Sequence, residues 1–271
     1  MKTSRTLPVV AVLTAVAITS AMDASGLAEY STFPLFPLAA LFWYLQRFSP
    51  KEIGFALGRM RHYGIAMLHP LLVLGLTALI AWVTGAVHPE QFHWKTAWLN
   101  FLIVAVSTFV VVMITEEGFF RGWLWASLER AGQNERSVLA WSSLAFALWH
   151  WSWACLESGL SLPLAQVPIF MVNAVMMGAI WGMLRSISGS LVVSSFCHGV
   201  WNGGAYVFFD VGKHHIGQLG IRENAVYNPE VGVLGLALNL VFAAVLWQWC
   251  ERERLRRPTG IARDTTSLAV T

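Results

Sequence analysis

Six side chains in the middle of the sequence are of types that do chemistry. They are Glu116, Glu117 and Arg121 in "VVVMITEEGFFRGWLW", His150 in "FALWH", and His198 with Asn202 in "HGVWN". A carboxylate beside an imidazole can hold and deprotonate a water, which is the general-base step of a hydrolysis. A second imidazole with a carboxamide one helical turn away can donate hydrogen bonds to a developing oxyanion. Glu116, His150 and His198 could instead ligate a divalent metal such as zinc and acidify its bound water. No H-E-x-x-H sequence argues for zinc by local spacing, and no activated serine or cysteine nucleophile is evident. Cys197 adjoins His198 in sequence but would face about 100° away from it on a helix.

All six residues sit in stretches otherwise fit for lipid. A charged side chain at the bilayer centre costs roughly 2.5–3.5 kcal/mol even on lenient insertion scales, so such a group is usually paired or functional. Residues at i and i+4 share a helix face. Glu117 can therefore reach Arg121, and a purely structural ion pair locking helix positions is the rival reading for those two. His198 and Asn202 would line one surface, and Glu116, about 100° round the helix from Glu117, can point elsewhere. His69, just before Pro70, reads as an interhelical hydrogen-bonding residue, and Asn173 as a packing polar residue with no role assigned. Cys155, Cys197 and Cys250 lie in apolar segments and read as small buried hydrophobes.

The elements that must position these groups follow from composition. The chain has 271 residues, 56% hydrophobic and 12% charged, with 14 Trp and 16 Phe. A soluble domain carries about 25% charged residues. A polytopic membrane protein is expected, all-α, with about eight transmembrane helices, each needing about 20 mostly apolar residues. The segments are Leu7–Met22, Phe33–Phe48, Gly64–Val87, Trp98–Leu128, Ser137–Cys155, Val167–Leu184, Ser190–Phe209 and Val231–Cys250. Lys2 and Arg5 ahead of the first would suit a signal peptide, but "ITSAMDAS" is a weak cleavage site and a retained helix is expected. No repeat, low-complexity tract or soluble domain stands out, so residues 1–271 are expected to form a single integral membrane domain.

Placing the N-terminus inside puts fourteen Lys and Arg on the inner segments and three (Lys95, Lys213 and Arg222) on the outer ones, with Arg121 set aside. The positive-inside rule then puts both termini in the cytoplasm. Counted from the inner ends of their spans, Glu116 lies roughly 18 Å deep, His150 roughly 20 Å and His198 roughly 12 Å at 1.5 Å per residue. Three helices thus bring a carboxylate and two imidazoles to similar depth.

The pattern resembles the CPBP family of intramembrane proteases, the CAAX prenyl endopeptidase and bacteriocin-processing group. That family is marked by E-E-x-x-x-R, then F-x-x-x-H, then H-x-x-x-N or H-x-x-x-D. Here these read "EEGFFR" (Glu116, Glu117, Arg121), "FALWH" (Phe146, His150) and "HGVWN" (His198, Asn202), within residues 115–203. The resemblance implies that Glu116 and His150 activate water, that His198 and Asn202 stabilise the oxyanion, and that Glu117 and Arg121 support the site. The family has been described both as metal-dependent and as glutamate-type, so a metal such as zinc and no cofactor at all both stay open.

The expectation is therefore an intramembrane endopeptidase in a bacterial plasma membrane, cutting a membrane-associated or lipidated protein or peptide within or beside the bilayer. No nucleic-acid partner is expected. Two other classes fit part of the pattern. A proton-coupled transporter could use the same carboxylates and imidazoles as a relay, although no repeat symmetry supports it. A non-catalytic membrane immunity or partner protein would tolerate loss of Glu116.

Overall fold

The computed structural model describes residues 6–89, 93–156, 160–209 and 217–256. Among them every regular element is a helix and none is a strand, and each of the eight apolar segments contains helix. The elements are α1 (Thr6–Ala24), α2 (Leu35–Gln46), α3 (Met60–Val83), α4 (Trp94–Ile114), α5 (Trp125–Arg130), α6 (Glu135–Trp149), α7 (Trp151–Cys155), α8 (Val167–Ser188), α9 (Leu191–Gly204), α10 (Asn224–Tyr227) and α11 (Val233–Arg256). Among the described residues five helical stretches are long and apolar enough to cross a membrane: Thr6–Ala24, Met60–Val83, Trp94–Arg130, Val167–Ser188 and Val233–Arg254. The other three expected spans are shorter, with α2 at 12 residues, α6 at 15 and α9 at 14.

Local signals explain where several helices begin and end. The Asn134 side chain caps α6 by accepting from the Ser137 amide at 2.9 Å, and Ser190 caps α9 by accepting from the Val193 amide at 3.2 Å. Helix α8 stops at Gly189, whose φ of 67° is the left-handed conformation that ends helices. Between α2 and α3, Arg130 of α5 donates to Glu52 at 2.5 Å. That hydrogen bond holds the exposed Glu52 carboxyl well below the usual range, at about 2.

Two expected spans are not continuous helices. The expected 98–128 helix breaks at Thr115 (φ −102°, ψ −95°) and resumes through a widened π turn over Gly118–Leu124. The expected 137–155 helix is interrupted at His150, which ends α6 and precedes α7. Such interruptions are tolerated at membrane depth where they are buried in protein or line a cavity. π turns inside helices are frequently found at functional sites.

Helix α8 is the central element: 61% of its apolar window is buried, against 17% for Trp94–Arg130 and for α11. Leu99, Leu102 and Val106 of α4 and Val241 and Val245 of α11 are exposed, as a lipid-facing surface requires. Helix α9 lies directly on α4 because Gly199 has no side chain. A Cβ there would meet the Ala105 carbonyl oxygen at 2.6 Å and Phe109 Cβ at 2.8 Å. Small residues at membrane helix interfaces permit this close approach. It brings His198, the next residue in α9, up against the α4–π-turn segment that carries Glu116 and Glu117.

Candidate active site

The π turn places Glu117 and Arg121 in the middle of the bundle, each fully buried. Arg121 Nη1 donates to Glu117 Oε1 at 3.0 Å, and Nη2 donates to the Gly178 carbonyl of α8 at 3.1 Å. The guanidinium lies 4.3 Å from the Phe146 ring centroid, so its faces are covered by aromatic carbon. A Cβ at Gly178 would come within 3.3 Å of Arg121 Nη2 and 3.1 Å of Ser143 Cα. The glycine therefore makes room for the arginine.

Glu117 also receives His198. The imidazole Nδ1 lies 3.2 Å from Glu117 Oε1, and the ring stacks on Trp181 with centroids 3.7 Å apart and planes at 17°. A carboxylate only accepts, so Nδ1 carries the proton that it donates. Nε2 is left facing Glu116, whose Oε2 is 3.9 Å away. His150 is oriented in the same way: its Nδ1 donates to the Phe146 carbonyl at 2.9 Å, which frees Nε2.

Glu116, His150, His198 and Asn202 all line one cavity of about 450 Å³, with Thr32, Tyr206 and Glu230 among its other polar walls. Glu116 is the more accessible of the two glutamates, its side chain 12% exposed against 0% for Glu117. The adjacent carboxylates are thus separated by environment. Glu117 belongs to a closed ion pair, whereas Glu116 faces the space where water and a substrate would sit.

Two cavity residues were not singled out from the sequence. Thr32, between α1 and α2, donates its hydroxyl to Glu116 Oε1 at 3.2 Å. Glu230, between α10 and α11, accepts from the Trp201 indole at 2.7 Å and is 4% exposed. Both stand in connecting segments, where polar residues are ordinary, so composition carries no signal for either.

Among the described residues no three His, Cys, Asp or Glu side chains gather closely enough to hold a metal ion. The trio Glu116, His150 and His198 does not fit a zinc site in this arrangement.

Residues 97–204 match the family model described as type II CAAX prenyl endopeptidase, Rce1-like. That stretch runs from early α4 to the end of α9 and contains all six motif residues. No curated protein matches the chain as a relative.

Proposed function

We propose that this chain, which over residues 97–204 belongs to the Rce1-like family of type II CAAX prenyl endopeptidases, hydrolyses a peptide bond through a water activated by Glu116. The family supports a CAAX-type intramembrane endopeptidase in general. The observation that carries the finer reading is the cavity shared by Glu116, His150, His198 and Asn202.

In this reading Glu116 takes a proton from a water held between its carboxylate and His150 Nε2. The water oxygen bonds to the scissile carbonyl carbon, and negative charge moves to the carbonyl oxygen. Asn202 and His198 donate to that oxyanion. His198 keeps its ring protons throughout: it donates a hydrogen bond from Nδ1–H to Glu117 and one from Nε2–H to the oxyanion. The C–N bond then breaks, its electron pair stays on nitrogen, and the proton held by Glu116 passes to the departing amine. Arg121 and Glu117 act through His198 by fixing its ring. A membrane-associated or lipidated peptide suits a site opening among helices in the bilayer.

The test is hydrolysis of an internally quenched, farnesylated peptide with a CAAX-type end by the purified protein in liposomes, with Glu116→Gln as control. Cleavage by the wild type and not by the variant is expected. Equal cleavage by both would remove the assignment.

The oxyanion pair gives its own prediction. Asn202→Ala should lower kcat by roughly 10²–10³, as loss of one oxyanion donor does elsewhere, with KM little changed because the contact acts mainly in the transition state. A wild-type kcat in single-turnover measurements would end the oxyanion role.

Orientation follows from the basic residues of the inner loops: both ends of the chain face the cytoplasm in a bacterial plasma membrane. Reporters fused after Gly217 and after Arg257 should lie on opposite sides of the membrane. Both reporting the same side would overturn this topology.

A further inference from the structure

Glu230 is a buried carboxyl outside the family-matched stretch, and an unusual number of buried polar groups are committed to its position. Asn228 Oδ1 accepts from the Glu230 and Val231 amides at 2.9 and 3.1 Å. Asn173 of α8 donates to the Pro229 and Glu230 carbonyls at 2.8 and 2.9 Å. Asn239 of α11 donates to Asn173 Oδ1 at 2.8 Å, and His69 of α3 donates through Nε2 to Asn239 Oδ1 at 2.8 Å. His69 stacks flat on Trp201, with centroids 4.6 Å apart, and Trp201 donates to Glu230 Oε1. From His69 the donors run one way, through Asn239 of α11 and Asn173 of α8 to the Pro229 and Glu230 carbonyls.

His69, Asn173 and Asn239 are fully buried. Placing three such side chains in a membrane bundle is costly unless each is satisfied. Here each is satisfied, and the shared result is a fixed position for residue 230. The Glu230 side chain leaves this scaffold and enters the wall of the cavity that holds Glu116, His198 and Asn202. Among the described residues no lysine or arginine pairs with it. An intramembrane carboxyl without a cation is a functional group by default.

A peptide bond in the cavity presents a carbonyl carbon, a carbonyl oxygen and an N–H. Glu116 and His150 deliver water to the carbon, and His198 and Asn202 donate to the oxygen. Resting on that reading of the site, we infer that Glu230 is a further catalytic residue, which accepts a hydrogen bond from the N–H of the scissile peptide and holds the amine as it departs. Proton balance is unchanged: the proton taken from water by Glu116 is the one that reaches the amine nitrogen. Glu230 supplies an acceptor and no proton. Trp201 pins one carboxyl oxygen, so the other faces the substrate.

That pinning makes Glu230→Gln informative. The Trp201 indole keeps the amide oxygen, and the NH₂ then faces the substrate N–H, donor against donor. The test compares the farnesylated peptide with a matched ester in which the scissile N–H is replaced by oxygen. Glu230→Gln should lower kcat on the peptide about 10–100-fold, and on the ester by no more than about threefold, because the ester has no N–H to lose an acceptor. Trp201→Phe, which frees the carboxyl without changing it, should show the same peptide-selective loss in smaller degree. An equal loss on both substrates would make Glu230 structural and overturn the inference, as would no loss on either. If the wild type cleaves the peptide, Glu116→Gln does not and Glu230→Gln matches the wild type, this inference fails alone. If the wild type cleaves neither substrate, the endopeptidase reading fails and takes this one with it.

Discussion

Glu116→Gln should lower kcat by about 10²–10⁴-fold, the range that general-base catalysis contributes, while leaving the protein folded. The replacement is isosteric, so the contact with Thr32 persists: the Thr32 hydroxyl, 3.2 Å from Oε1, can donate to an amide oxygen as well as to a carboxylate. Nor does the change orphan a charge. Arg121 is paired with Glu117 rather than with Glu116, and His198 keeps its 3.2 Å contact to Glu117. What disappears is the group able to take a proton from water. Thermal unfolding in detergent should therefore be close to wild type while single-turnover hydrolysis collapses. A variant that still turns over at the wild-type rate would show that another group activates the water. A variant that also unfolds would show that Glu116 is part of the architecture.

The contrast between Glu116 and Glu117 also shows what could be read without coordinates. Acidic, basic, imidazole and carboxamide side chains in hydrocarbon stretches are conspicuous because burying them is expensive, and all six are visible on that ground alone. The helical segments were visible for a related reason: an apolar run must hydrogen-bond its own backbone in lipid. Periodicity gave no sign of the break at Thr115 or of the π turn. It gave no sign either that His150 sits between two helices. Thr32 and Glu230 were hidden more deeply. Each lies in a connecting segment where a hydroxyl or carboxyl is normally solvated, and each is brought to the cavity wall beside a partner far away in sequence. Glu116 is 84 residues from Thr32, and Trp201 is 29 residues from Glu230. His69, read as an interhelical hydrogen-bonding residue, does bond Asn239 of α11, and Asn173, read as a packing polar residue, holds the turn carrying Glu230.

Arg121→Ala should damage folding more than any change at the cavity wall. Both members of the Glu117–Arg121 pair are wholly buried and 3.0 Å apart. Removing the guanidinium leaves a carboxylate in a low-dielectric interior and strips the Gly178 carbonyl of a donor. Breaking a buried pair from one side costs about 3–5 kcal/mol, chiefly as the penalty of the abandoned charge. Lost packing against Phe146 adds to this, since the guanidinium covers that ring at 4.3 Å. The expected result is a large fall in thermal stability, poor accumulation in membranes and a reduced kcat, because His198 would lose the fixed carboxylate that orients it. The origin of the loss can be isolated by adding Glu117→Gln to the same background. A neutral amide needs no cation, so the double variant should recover part of the stability. Its activity should stay low, because the amide no longer offers His198 a charged acceptor. Additive losses in the double variant would mean that the pair is not energetically coupled. An Arg121→Ala protein as stable and as active as the wild type would remove the ion pair from any account of how this bundle holds His198.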